Sequence, residues 1–223
     1  MRIEYPKLDP ANGSSLCHNL KQKAMKTLKI EEMDDAINPR SPMYGDGNIG
    51  ILAYKHPRYV LGEELIDDPI DFLKELYGIE ADMPYTNATL DVLQGKANKY
   101  GFVLLPVYLY DHSGTSISTT PFSDSWDSGQ VGFIYTDLKT LNEKNSLNWK
   151  RWSAKRRKKV EEWLKAEVQT YNYYITGQVY GFIVEEDGEE IDSCWGFYGP
   201  DPKTNGIADH VDKELLDEYL KTH

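Results

Sequence analysis

Residues 101–135 read "GFVLLPVYLYDHSGTSISTTPFSDSWDSGQVGFIY", strand-like runs separated by short polar turns, and this spacing constrains the fold more than any other feature. Parallel neighbours need a crossover of a dozen or more residues, whereas Asp111, His112, Ser113 and Gly114 leave room only for a hairpin. "YGFVLLPVYLY" and "TSISTT" are therefore expected to pair antiparallel, with Gly114 supplying the positive φ of the turn. Val, Leu and Tyr fall on both faces of the first run, so it should be central or well covered. Pro106 lacks a ladder donor and marks a bulge or an edge-facing point. "QVGFIY" is a third strand.

The same logic extends along the chain. "NIGILAYKH" reads as a buried strand that "PRYVLGEE" leads away from the sheet, and "QVYGFIVEEDGEEIDSCWGFYG" as a hairpin closed at Asp187-Gly188. "DDPIDFLKELYGI" carries a complete helix signature: Asp68 at the N-cap, Pro69 at the first position, Gly78 past the end, and Ile70, Leu73, Leu76 and Tyr77 on one face. Further helices are expected over 87–98, over 153–175 with Val160, Trp163, Leu164, Val168, Tyr171 and Ile175 on one stripe, and in "ADHVDKELLDEYLK". Leu16, Leu20, Ala24 and Leu28 recur every fourth residue and predict a helix over 15–33 within an N-terminal arm, residues 1–45. Residues 46–223 then make a single α+β domain, a mainly antiparallel β-sheet with helices packed on one face.

Charge divides the chain. The 223 residues carry 25 basic and 36 acidic side chains, a net −11. Lys150, Arg151, Lys155, Arg156, Arg157, Lys158 and Lys159 crowd into "KRWSAKRRKK" with no acid among them, so the remainder holds −18. An acidic body repels nucleic acid and favours basic partners, while the basic stretch suits a phosphate, a nucleic acid or an acidic surface. Cations near a helix N-terminus also oppose the macrodipole, a cost that an acidic partner, a phosphate or the protein's own acidic body could offset. Trp149 and Trp152 beside them could stack on bases.

No run is long and apolar enough to span a bilayer and no signal-peptide pattern opens the chain, so a soluble, cytoplasmic protein without a membrane partner is expected. Cys17 and Cys194 lie far apart, with no second Cys or His at zinc spacing, and are expected as free thiols. Asp46, His56, Asp111, His112 and Asp127 include metal-ligand types, but nothing fixes their spacing, and neither a metal nor a cofactor is expected.

The polar turns of 110–130 have two readings. Asp, Ser and Gly serve tight turns as they stand. As chemistry, His112, Asp111, Ser113 and Asp127 are the catalytic candidates for a base, a nucleophile and an orienter, although consecutive residues rarely face one another as a triad does. A partner such as His56, Glu167 or Cys194 would have to come from elsewhere. His56, Arg58, Trp126, Ser128, Gln130, Trp195 and Tyr198 are candidate binding residues.

"NPRSPMYGDGNIGILAYKHPRYVLGEE", "LLPVYLYDHSGTSISTTPFSDSWDSGQVGFIY", "EVQTYNYYITGQVYGF" and "DSCWGFYG", in this order over about 38–199, resemble a group of uncharacterised proteins of bacteriophage genomes and mobile elements. That group often carries Cys-Pro where this chain has Asp124-Ser125. The resemblance implies a bacterial host cytoplasm and brings no catalytic residue with it. It points to a non-enzymatic acidic accessory protein that blocks or modulates a host or defence macromolecule. The alternatives are a hydrolase or nucleic-acid-processing enzyme around Asp111, His112 and Asp127, and a nucleic-acid binder using residues 150–159.

Overall fold

In the computed structural model, residues 25–41 and 47–223 are described, and they form an α+β architecture built on antiparallel sheets. β4 (Phe102–Asp111) and β5 (Thr115–Ser118) make the expected hairpin, from Tyr108↔Ser118 to Asp111↔Thr115. β6 (Ser128–Asp137) pairs with the other side of β4, and β2 (Ile51–Tyr54) with β6. The short β3 (Glu64–Leu65) joins β2 in parallel and completes the order β3-β2-β6-β4-β5. Because β5 reaches only as far as Tyr108, β4 has a single neighbour at Pro106, where a missing donor is tolerated. The β4–β6 register slips just beyond it, between Val107 and Tyr108.

Helices were expected on one face of the sheet, but the larger sheet is covered on both. Successive strand residues point to opposite sides, and here both sides are apolar. Leu52, Val103, Val107 and Ile134 pack on α4 (Ala154–Ile175) through Val160, Leu164, Val168 and Tyr171. Ala53, Phe133 and Tyr135 pack on α1 (Pro69–Tyr77) and α2 (Asn87–Gly95) through Ile70, Leu73, Tyr77 and Leu93. Burying side chains of this size contributes roughly 1.5–3 kcal/mol each, so neither face could stay open.

The helix ends follow the sequence. Asp68 accepts from the Ile70 amide at 2.8 Å, Pro69 opens α1, and Gly78 closes it at φ 65°. Ser153 caps α4 by accepting from the Arg156 amide, and Thr86 and Asp137 cap α2 and α3 (Leu138–Asn145).

The hairpin at Asp187-Gly188 belongs to a second sheet. β7 (Val179–Glu186) and β8 (Glu189–Tyr198) pair with each other, and β7 pairs with β1 (Lys26–Glu32) in the order β1-β7-β8. α5 (Lys213–Thr222) covers one face through Leu215 and Leu216, against Leu28, Phe182, Val184 and Phe197.

β1 corrects the helix expected over 15–33 wherever that stretch is described. All seven of its residues pair with β7, and Leu28 and Ile30 turn together towards the α5 core at the strand period of two. The rest of that helix, with Cys17, lies outside the described residues, as do residues 42–46 with Asp46. Residues 25–41 of the expected N-terminal arm are tied into the fold. Arg40 is buried and forks onto Glu63, Nε to Oε1 at 2.7 Å and Nη2 to Oε2 at 2.9 Å. Its Nη2 also donates to the Gly50 carbonyl at 2.8 Å. Glu167 of α4 accepts from the Ile49 amide at 2.6 Å and lies 3.5 Å from Arg40 Nη1, which joins this segment to β2, β3 and α4.

Candidate binding site

Three polar segments meet at the end of the larger sheet where β4 finishes. Side by side, β4 and β6 bring the two turns of the sequence together: the Asp111 amide donates to the Asp127 carbonyl at 2.9 Å, and His112 Nδ1 lies 3.0 Å from Asp127 Oδ2. The loop leaving β2 supplies the third segment. Arg58 makes an ion pair with Asp111, and the Tyr59 hydroxyl donates to Asp111 Oδ1 at 3.1 Å. His56 orders that loop, its Nδ1 accepting from the amides of Arg58 and Tyr59 while its ring stacks on Tyr59 at 4.8 Å.

Turn chemistry shapes this rim as well. Ser113 takes the left-handed conformation at φ 55° beside Gly114, Asp124 accepts from the Trp126 amide at 2.9 Å, and the Ser128 hydroxyl donates to the Asp124 carbonyl. These bonds hold Trp126 out from the rim with 95% of its surface exposed. Arg58 is 68% and His112 61% exposed, so the cluster forms an open rim instead of an enclosed pocket.

His56, Arg58, Asp111, His112 and Asp127 thus converge, with Trp126 next in the chain to Asp127. Gln130 turns away to face Gln94 of α2 at 3.5 Å. Trp195 and Tyr198 stand on β8 in the other sheet, where the Trp195 ring covers Gly181 and the Tyr198 hydroxyl donates to the Ile37 carbonyl. Glu167 is occupied in the Arg40 cluster, and Cys194 is a half-buried free thiol of β8. Tyr59 was absent from the sequence candidates, because its contact with Asp111 spans 52 positions and no local pattern announces it.

The rim's chemistry is polar. His112 Nδ1 lies 3.0 Å from Asp127 Oδ2, and among the described residues no hydroxyl or thiol is hydrogen-bonded to that imidazole. Among the described residues no group of three or more His, Cys, Asp or Glu side chains is placed to hold a metal ion.

The basic stretch lies elsewhere. Arg157 Nη1 donates to the Phe102 carbonyl at 2.8 Å and to Asn98 Oδ1 at 2.6 Å, at the start of β4. Asp111 is at the far end of that ten-residue strand, roughly 30 Å away at about 3.3 Å per residue. The basic helix start therefore cannot hold a phosphate for chemistry at His112. Its cations are met by aromatic faces: Arg156 lies 4.9 Å from the Trp149 ring, Arg157 4.8 Å from Trp152, and Lys159 4.8 Å from Trp163. Burial lowers the Arg157 pKa, with Glu161 acting the other way. Among the described residues none of the seven cations has a carboxylate within 4.0 Å, so they make no direct ion pair there.

The class these features define is an α+β protein with an exposed, hydrogen-bonded rim at one end of its larger sheet and a basic patch at the other. The chain matches no protein-family model, no curated protein and no solved structure. No described helix is long and apolar enough to cross a membrane.

Proposed function

We propose that this chain is a non-enzymatic accessory protein that binds a host protein through the rim formed by residues 56–60 and 111–128. The observation that carries the reading is Trp126. Its backbone amide is held by the Asp124 side chain, and its indole, 95% exposed, offers a large apolar face that a partner could cover. Arg58 and Tyr59 stand on the same rim, tied to Asp111, and Val60 beside them is 77% exposed. Trp, Tyr and Arg are the residue types that dominate binding hot spots, and side chains ordered beforehand lose little freedom on association. The resemblance to bacteriophage and mobile-element proteins supports a bacterial host, and a host or defence protein as the partner.

The test is capture of a partner from bacterial lysate on immobilised chain, with the Trp126→Ala and Arg58→Ala variants alongside. One partner should be retained by the native chain and lost by both variants. Equal retention by all three would remove the rim from the interaction.

One observation favours a second reading, a hydrolase acting through His112. Its Nδ1 lies 3.0 Å from Asp127 Oδ2, the spacing at which a carboxylate serves as the orienter of a histidine base. Turnover of phosphoester or ester substrates that disappears in His112→Ala would establish this version; identical rates would end it.

A further inference from the structure

We propose that the surface around the start of α4 binds the phosphodiester backbone of a nucleic acid, independently of the rim. Lys150, Arg151, Lys155, Lys158 and Lys159 are exposed, and none has a carboxylate within 4.0 Å among the described residues. That holds in a chain whose remaining residues carry −18, and even though Glu161 and Glu162 follow in the next turn. Lys155 and Lys158, three residues apart, share the helix face turned away from the core positions Val160 and Leu164.

The cations are also arranged beforehand. Arg156 and Lys159 lie over tryptophan rings, and Arg156 Nη1 donates to the Arg151 carbonyl at 2.7 Å, so these two cations do not have to be ordered when an anion arrives. Positive charge crowded at a helix N-terminus opposes the macrodipole, and an anion held there reverses the sign of that interaction.

The character of the patch selects the partner. No large apolar side chain between 148 and 159 is among the exposed ones, so a protein interface or an inserted membrane face has no anchor here. The tryptophans are not free to stack on bases, because Trp149 and Trp152 carry the arginines and Trp152 Nε1 donates to the Gly101 carbonyl at 2.7 Å. What remains is charge alone, which reads phosphates and not sequence. The acidic body does not forbid this at moderate salt, since exposed charges beyond about 10 Å are largely screened at 0.1 M.

The experiment uses the full chain, a labelled single strand of about 30 nucleotides and its duplex, and phosphatidylglycerol vesicles as the competing polyanion. Both nucleic acids should bind without sequence preference. Log affinity should fall against log salt with a slope of about −3 to −4, as for about four phosphate contacts. Lys155→Glu with Lys158→Glu, both exposed and so without effect on folding, should weaken binding at least about tenfold, and Trp126→Ala should leave it unchanged. No binding at about 50 mM salt, binding that survives the double reversal, or tighter binding to vesicles than to either nucleic acid would each overturn the proposal.

Discussion

The Asp111 amide donates to the Asp127 carbonyl oxygen at 2.9 Å, and this bond joins two turns that are separate in the sequence into one rim. The Asp111 side chain adds the Arg58 ion pair and the Tyr59 hydroxyl. Exposed pairs of this kind contribute about 0–1 kcal/mol, because water screens them and two side chains must be held still. Asp111→Ala is therefore expected to change denaturation stability by less than about 1 kcal/mol. It should nevertheless speed amide exchange at Tyr59 and weaken partner capture. A loss of several kcal/mol would make Asp111 a folding residue and remove it from the binding argument.

Arg40 is the opposite case, since its side chain is only 3% exposed and faces two carboxylates. Removing one partner of a buried pair strands the other, and Arg40→Ala should cost about 3–5 kcal/mol at neutral pH. The pH dependence has a definite sign. Burial holds the Glu167 carboxyl above its ordinary value, outweighing its bonds to Ile49, Gly50 and Arg40. The folded chain then keeps a proton that the unfolded chain has released. The contribution of this group is full below the ordinary carboxylate value and is lost as pH rises through the raised one. Without Arg40 the loss grows, so the variant's deficit should shrink on acidification, as urea denaturation at several pH values will show. A deficit that does not vary with pH would mean the guanidinium serves packing alone.

What the sequence disclosed follows from where the information resides. Hairpins at Gly114 and Asp187-Gly188 and the α1 helix between Asp68 and Gly78 were legible because each rests on a few adjacent residues with one conformational use. "KTLKIEE" was not, since its lysines and glutamates suit a helix and only pairing along β7 makes it a strand. Cover on both faces of the larger sheet was missed: Leu52 beside Ala53 and Phe133 beside Ile134 are buried on opposite sides, but which helix covers which face depends on chain crossings that no local pattern encodes. The convergence of Asp111, His112 and Asp127 follows from β4 lying beside β6 and could be anticipated. The arrival of Arg58 and Tyr59 depends on the path of the loop after β2. Trp195 and Tyr198 fell in a separate sheet because their hairpin pairs with β1 instead of β2.

Tyr77 allows a stabilising substitution to be predicted. Its ring stacks on Tyr100 at 4.5 Å, but among the described residues its hydroxyl is a buried polar atom without a hydrogen-bond partner. Leaving such a group unpaired costs about 1–3 kcal/mol, and Phe keeps the ring while discarding the hydroxyl. Tyr77→Phe should raise stability by about 1 kcal/mol, read as a higher urea midpoint with an unchanged slope. A destabilised variant would show that the hydroxyl is satisfied in solution.

The same burial governs behaviour in alkali. Desolvation pushes the phenols of Tyr77 and Tyr171 up to about 12, and it raises Tyr135 further, helped by the hydrogen bond to Glu64. In the unfolded chain all three ionise near 10. Stability from these groups is therefore complete below about pH 10 and is lost as pH climbs through the raised values, because the unfolded state gives up protons that the folded state retains. Each phenol contributes a slope of up to about 1.4 kcal/mol per pH unit in that window, enough together to unfold a protein of ordinary stability within two or three units. Phenolate absorbance should rise in two stages, first from the exposed tyrosines and then abruptly with the loss of circular dichroism. Tyr171→Phe should move the second stage to higher pH. If every tyrosine instead titrates smoothly near 10 while the fold persists, these rings are open to water and the core around α4 and β6 is looser than its packing implies.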